Sequence, residues 1–282
     1  RRAPSMIPSI PKMFKSQKVI PICSMILGIL FIIAIFAPWI APNDPIAVNL
    51  AYKLQPPSWD YPFGTDHLGR CTLSRILYGA RISLGFAMLI FISSLAIGLL
   101  VGTFSGYKGG WVDQVLMRFC DGVMAFPSLI LILGLVGIFG PGLTQVIIAL
   151  MLVQWVYYAR MFRGMVLSLK EQNFIAAAKI SGSSQWKIIK NHIVPNVLPP
   201  LVVMGTLEMG WAIMDISAMS FLGLGVQPPT PEWGAMIHEG KSYIRTNPEL
   251  MLYPGLIIML VIVTFNLLGE ALSERYGVKR RF

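Results

Sequence analysis

Charge is what this sequence has least of. Only 13% of its 282 residues are Asp, Glu, Lys or Arg, about half the share carried by soluble domains. Surface area per residue falls only slowly with chain length and a surface in water needs charge, so a single water-soluble domain is excluded. Cysteine is scarce too: Cys23, Cys71 and Cys120 cannot build a disulfide scaffold, and they say little about redox compartment. No low-complexity tract is present, which removes collagen-like and disordered chains. Acidic residues number 13 against 23 Lys and Arg, a net charge of +10. The cations flank apolar runs, so this charge argues for a membrane and against nucleic acid. What is there instead is apolar side chain, 55% of the chain, with a mean hydropathy of +0.66. Membrane lipid takes the place of water.

A span needs about 20 mostly apolar residues to cross a hydrocarbon core about 30 Å thick. Six stretches qualify: Val19 to Ile40, Ile82 to Phe104, Phe119 to Phe139, Thr144 to Phe162, Val197 to Phe221 and Met251 to Gly269. All are expected as helices, because an open sheet leaves backbone groups unpaired in lipid. The first run outlasts a signal-peptide core and ends at Pro38-Trp39, without a small-residue cleavage pattern, so a retained anchor is expected. The chain begins at Arg, which fits a truncated or processed N-terminus.

Placing both termini in the cytoplasm puts seventeen Lys and Arg inside. Six fall outside (Lys53, Arg70, Arg75, Arg81, Lys241, Arg245), and the positive-inside rule selects this orientation. The expected organisation is a cytoplasmic segment 1–18, a first span 19–40, an extracytoplasmic proline-rich segment 41–80, a core 81–272 and a basic cytoplasmic tail 273–282. Pro42, Pro45, Pro56, Pro57 and Pro62 forbid a long helix over the outer segment. A second outer segment, Gly223 to Leu250, carries the Pro228-Pro229-Thr230-Pro231 break. The cytoplasmic stretch of about 163–195 is longer than a turn needs, and a long loop in a compact protein commonly binds something.

Within that stretch, Glu171 to Gly182 reads as a short helix ended by glycine, and Val194-Pro195 starts the return to the membrane. Ala176, Ala177 and Ala178 bare one side of the helix, open to close approach by another protein; an ordinary connector is the alternative. The pattern Ala176-Ala177-Ala178, three residues, Gly182-Ser183, then Pro195 resembles the E-A-A-x-x-x-G loop of bacterial ABC importer permeases, which docks on the ATPase. Ala176 replaces the family's Glu, so the resemblance implies no salt bridge from that position here.

Further motifs narrow the resemblance to the dipeptide, oligopeptide and nickel importer permeases. They are Gly64-Thr65-Asp66-His67-Leu68-Gly69-Arg70 with Ser74-Arg75 and Gly79-Ala80-Arg81, then Gly109-Gly110-Trp111-Val112-Asp113, and Ala125-Phe126-Pro127-Ser128. Ser220-Phe221-Leu222-Gly223-Leu224-Gly225, Pro231-Glu232-Trp233-Gly234 and Phe265-Asn266-Leu267-Leu268-Gly269 complete the series. Cys71 stands where that family commonly has Asp. Tyr158-Ala159-Arg160-Met161, Ser168-Leu169 and Thr206-Leu207-Glu208 look closer to nickel-import permeases; a peptide-import permease is the alternative.

The resemblance implies an all-α, six-span type I ABC importer permease fold, forming half of a translocation pathway. It implies a second, homologous permease in a heterodimer, two ABC ATPase subunits carrying ATP and Mg, and an extracytoplasmic solute-binding protein. No cofactor or catalytic site is expected on this chain. A gradient-driven secondary transporter is the rival class, but it calls for internal repeats and half-broken helices, and no convincing repeat is present. A membrane-bound enzyme lacks any nucleophile, base and orienting acid at a suggestive spacing.

Three local patterns remain. Gly234 to Gly240-Lys241-Ser242 imitates a P-loop, but five residues separate its glycines where four are required. His67 and Cys71 sit four apart, yet two ligands do not make a metal site. In the fifth span Glu208 and Asp215 are seven apart, about 20° around a helix, and Met204, Trp211 and Met219 share their stripe. Charges at membrane depth seldom face lipid; pathway lining, pairing with a neighbouring helix and a position near the headgroups for Asp215 are the three readings. Gly98, Gly102 and Gly106 make a small-residue seam for helix packing.

Overall fold

The computed structural model describes residues 16–275, which form helices and loops with no strand among them. The helices are α1 (Ser16–Ile40), α2 (Thr72–Lys108), α3 (Gly110–Met124), α4 (Ser128–Phe139), α5 (Leu143–Lys170), α6 (Asn173–Ile180), α7 (Gln185–Ile188), α8 (Val194–Phe221), α9 (Trp233–Gly240) and α10 (Glu249–Arg275). A five-residue π turn, Ile189–Ile193, joins α7 to α8. Pro195 stands in the first turn of α8, where its missing N–H costs little. Five helices are long and apolar enough to span alone. Most of the cytoplasmic segment 1–18 and of the tail 273–282 expected from sequence lies outside the described residues.

Two expectations need correction. The third span, Phe119 to Phe139, is not one straight helix: α3 and α4 meet at an 89° bend. Pro127 precedes α4; it donates no hydrogen bond and turns Phe126 away from helical backbone, so the chain breaks there. The proline-rich segment also ends sooner than Ala80. Its last proline is Pro62, and α2 begins at Thr72 and runs 37 residues, roughly 55 Å at 1.5 Å each.

Contacts between loops fix which helix ends share a side. The indole Nε1 of Trp233 donates to the Ile76 carbonyl at 3.0 Å, and the Gly142 amide donates to the Leu224 carbonyl at 2.9 Å. The start of α2, the start of α5 and the end of α8 therefore lie together, on the proline-rich side. On the other side the Lys170 ammonium donates to the Tyr107 carbonyl at 2.7 Å, joining the end of α5 to the end of α2. The segment 109–142 must consequently cross the bundle, and the bent pair α3–α4 makes a sixth span. By the same alternation α1 and α10 have their terminal ends on the α6 side.

The seam glycines explain why α2 and α5 pack closely. A Cβ on Gly98 would stand 2.3 Å from Tyr158 Cβ, one on Gly102 2.3 Å from the Ala159 carbonyl oxygen, and one on Gly106 3.0 Å from the Arg163 oxygen. Only hydrogen fits at these contacts, so small residues set the helix spacing. At the α6 end of this pair, Asp113 is buried and accepts from Arg163 Nε and Nη2, both at 2.6 Å, which ties α3 to α5.

Candidate functional site

A cavity of about 500 Å³ opens among α3, α4, α5 and α8. Glu208, Trp211 and Asp215 supply its α8 wall, and Gln154, Tyr157 and Tyr158 face them from α5. The α8 residues share one face because their spacings of three and four follow the helical turn. The Tyr158 hydroxyl donates to Glu208 Oε2 at 3.3 Å, and Gln154 Nε2 donates to Asp215 Oδ2 at 2.9 Å. Both donors are neutral, and among the described residues neither carboxylate forms an ion pair. The pairing with a neighbouring helix is therefore observed, and the paired carboxylates also line a cavity.

Not all of the predicted stripe belongs here. Met219 is buried in the main core, in a cluster that also holds Trp233 and Met236, because the stripe runs under the 223–250 segment at that height. Met204 is half-buried one turn from Glu208 towards the α6 side and is not on this wall. Gln154 and Tyr157 escaped sequence reading, and Tyr158 entered it only within the motif resembling nickel-import permeases: nothing local marks which face of an apolar helix meets a cavity. A second cavity of about 650 Å³ shares Met124 and Tyr157 with the first and continues past Met161 and Met165. Arg160 lines the second cavity, ion-paired with Asp121 and 3.5 Å from the Met124 sulfur.

The second cavity leads towards α6. Buried Ile175 fastens α6 to a cluster that includes Phe162, Val166, Ile188 and Val197, while Ala176 and Ala177 face outward and Ala178 turns partly inward. Gly182 adopts φ +75°, and the Ser183 amide donates to the Ala178 carbonyl at 3.1 Å. This is a Schellman cap, which glycine makes without strain. Around the bare alanines the segment shows Phe174, Ile180 and Trp186 to the outside, Ile180 at 89% exposure. Pro195 is exposed at the base of α8.

Residues 98–278 match the family described as the binding-protein-dependent transport system inner membrane component, and residues 10–57 match the N-terminal transmembrane domain of oligopeptide transport permease C. The chain belongs to the first of these families. It is an ABC importer permease: a membrane transport component, not an enzyme, of a family that works with an ATPase and a binding protein. The nickel transport system permease NikC of Escherichia coli K12 is 42% identical over 250 residues, 89% of this permease and 90% of that protein. The dipeptide permease DppC of Alkalihalophilus pseudofirmus is 39% identical over 270 residues, covering 96% and 89%. The glutathione permease GsiD of Escherichia coli O6:K15:H31 is 39% identical over 267 residues, covering 94% and 88%. In fold the permease is similar to a chain of the inward-facing MetNI methionine ABC transporter, with TM-score 0.56 and 18% identity over 72% of this chain and 96% of that one.

On its proline-rich side the permease is clasped by buried ions that the sequence did not announce. Arg70 Nε donates to Asp66 Oδ2 at 2.6 Å, and Glu239 Oε2 accepts from Arg70 at 2.6 Å and from Arg75 at 3.0 Å. Two arginines and two carboxylates cancel, and Asp66 also accepts the Leu68 and Arg70 amides. Glycines make the turn possible: Gly64 and Gly69 have φ +69° and +74°, and a Cβ on Gly69 would stand 1.8 Å from the Asn49 oxygen. His67 lies against this clasp, stacked on Tyr243 at 5.6 Å, with burial holding its imidazole below the ordinary value against the pull of Asp66 and Glu239. Asp66, His67 and Glu239 come within 4.8 Å of one another, but both carboxylates are engaged by arginine, and the guanidinium charges oppose a metal ion there. Cys71 is buried ahead of α2 and is not in the group. The imitation P-loop is helix α9, whose Gly234 packs on the Ser217 backbone.

Proposed function

We propose that this permease forms one half of the translocation pathway of an ATP-driven importer and passes nickel or a metal chelate across the bacterial cytoplasmic membrane. The observation that carries the substrate class is the pair Glu208 and Asp215, facing one cavity and satisfied by neutral donors alone. Such a wall attracts a cation without enclosing it, which lowers the barrier and leaves release easy. The nickel relative at 42% identity agrees. A peptide substrate is the second reading, favoured by the dipeptide and glutathione relatives, since a peptide ammonium answers to the same carboxylates.

The rest of the assembly follows from the two ends. The α6 side carries the docking segment, with Ala176, Ala177, Ala178, Gly182, Ser183 and Pro195, and is cytoplasmic together with both termini; the cation bias supports this. A homologous second permease completes the pathway, two ATPases bind ATP and Mg, and a solute-binding protein docks outside. ATP closure draws the docking segments together and the bundles exchange inward for outward access.

Uptake of labelled nickel and of labelled dipeptide by the reconstituted complex tests the reading. Glu208→Gln and Asp215→Asn keep shape and remove charge, so each is expected to lower uptake of the true substrate about tenfold, with assembly and basal ATP hydrolysis unchanged. Normal uptake of both substrates by both variants would exclude the pathway role. Loss of assembled complex instead would make the pair structural.

A further inference from the structure

An apolar groove of about 680 Å³ lies apart from the carboxylate cavity, towards the α6 side. Leu100 and Phe104 of α2, Trp111 and Val115 of α3, and Trp186 and Ile189 near the docking segment are among its walls. Its depth in the membrane follows from α2. Arg81 and Lys108 are both exposed and stand roughly 40 Å apart along the axis, the thickness of a bilayer with its headgroups. Lys108 thus marks one headgroup layer, and Phe104 and Leu100 lie roughly 6 and 12 Å deeper. Trp111 and Trp186, 76% and 71% exposed, suit the interfacial belt.

One lysine stands against a wall of this groove, and two more are next in sequence to its walls. The Lys108 ammonium stands 5.2 Å from the centre of the Phe104 ring, and exposed Lys187 and Lys190 neighbour Trp186 and Ile189 in sequence. Among the described residues none of the three forms an ion pair. The segments 99–118 and 184–196 contain a single acid, Asp113, whose carboxylate is held by Arg163 and Ser105. Hydrocarbon walls, an unpaired ammonium against Phe104 and no free acid in the segments that build the groove match one kind of molecule, with an apolar tail and an anionic head.

We propose that this groove binds an anionic phospholipid, with an acyl chain along α2 and α3 and the headgroup phosphate among Lys108, Lys187 and Lys190. A neutral lipid fills the walls and leaves the cations without a counter-charge. The site rests on the reading of α2 as a span ending at headgroup depth, and it is independent of the transported substrate. It places a lipid between the bundle and the docking segment.

Native mass spectrometry tests this on the assembled importer, purified with its ATPases and given equal phosphatidylglycerol and phosphatidylcholine of the same acyl chains. Phosphatidylglycerol is expected to be retained over phosphatidylcholine. Lys108→Gln and Lys187→Gln each lower its retention about fivefold, with phosphatidylcholine unchanged. Val115→Trp fills the groove and lowers both. Phosphatidylglycerol with a photoreactive acyl chain should label 99–104 and 111–116. Equal retention of the two lipids, a preference untouched by the lysine variants, or labelling elsewhere overturns the site. So does a photocrosslink to the second permease from Leu100→Cys labelled with a benzophenone maleimide, which would show protein covering the groove. Co-purification of the ATPases reports separately on the importer reading, whatever lipid is retained.

Discussion

Gly102 and Gly85 lie on the same helix and meet different surroundings, which makes them a controlled pair. A Cβ on Gly102 would run into the Ala159 backbone, whereas one on Gly85 meets nothing within 4 Å. Backbone inside a packed span cannot step aside as a flexible side chain can, so Gly102→Ala is expected to destabilise the permease by about 1–3 kcal/mol. Gly85→Ala removes helix-weakening glycine without a clash and is expected to be neutral or stabilising by up to about 1 kcal/mol. Thermal unfolding of the two purified variants checks this, and equal midpoints would refute the seam. The seam was legible because a repeat of four places small residues on one face. The stripe on α8 was legible only in part: spacing predicts which α8 residues share a face, but not that the 223–250 segment covers Met219. The clasp shows the same limit, since Glu239 reaches Arg70 across 169 positions and no local pattern joins them.

At the scale of elements, breaks carry more information than helices. The composition located every span, because apolar length is read directly, but the 89° bend depends on what Pro127 does to its neighbours once the flanking turns pack. The docking segment was legible in more detail, since a bare alanine run ended by glycine specifies both a helix and its cap. Its exposed alanines are flanked by Phe174 and Ile180, also exposed, an arrangement suited to a partner's cleft. Ala177→Arg places a long charged side chain on that face without touching the core. It should reduce transport by at least about tenfold and abolish crosslinking from Ser181 to the ATPase, with the amount of permease in the membrane unchanged. Gly182→Val should do the same by a different route, because φ +75° is strained for a β-branched residue and the cap re-forms the segment at another angle. Full transport in both variants would leave the segment a connector.

At the scale of the whole molecule, the proposed sidedness takes two steps. Loop contacts group the helix ends into two sets by geometry alone, and the cation count is what proposes one set as cytoplasmic. Ion pairing does not disturb that count. Arg70 and Arg75, two of the six outer cations, are buried against Asp66 and Glu239, and two of the inner ones, Arg160 and Arg163, are paired with Asp121 and Asp113, so the excess on one side is the same. The three native cysteines are buried, which leaves a low background for thiol labelling. Exposed Ser58 and Ser242 lie on the proline-rich side and exposed Ser181 on the α6 side. Ser58→Cys and Ser242→Cys are expected to react with a membrane-impermeant maleimide in intact cells, and Ser181→Cys only after permeabilisation. Reaction of Ser181→Cys alone in intact cells would invert the whole assignment, because the loop contacts bind the helix ends into two fixed groups. Reaction of all three in intact cells would contradict the grouping itself, and with it the crossing made by α3 and α4.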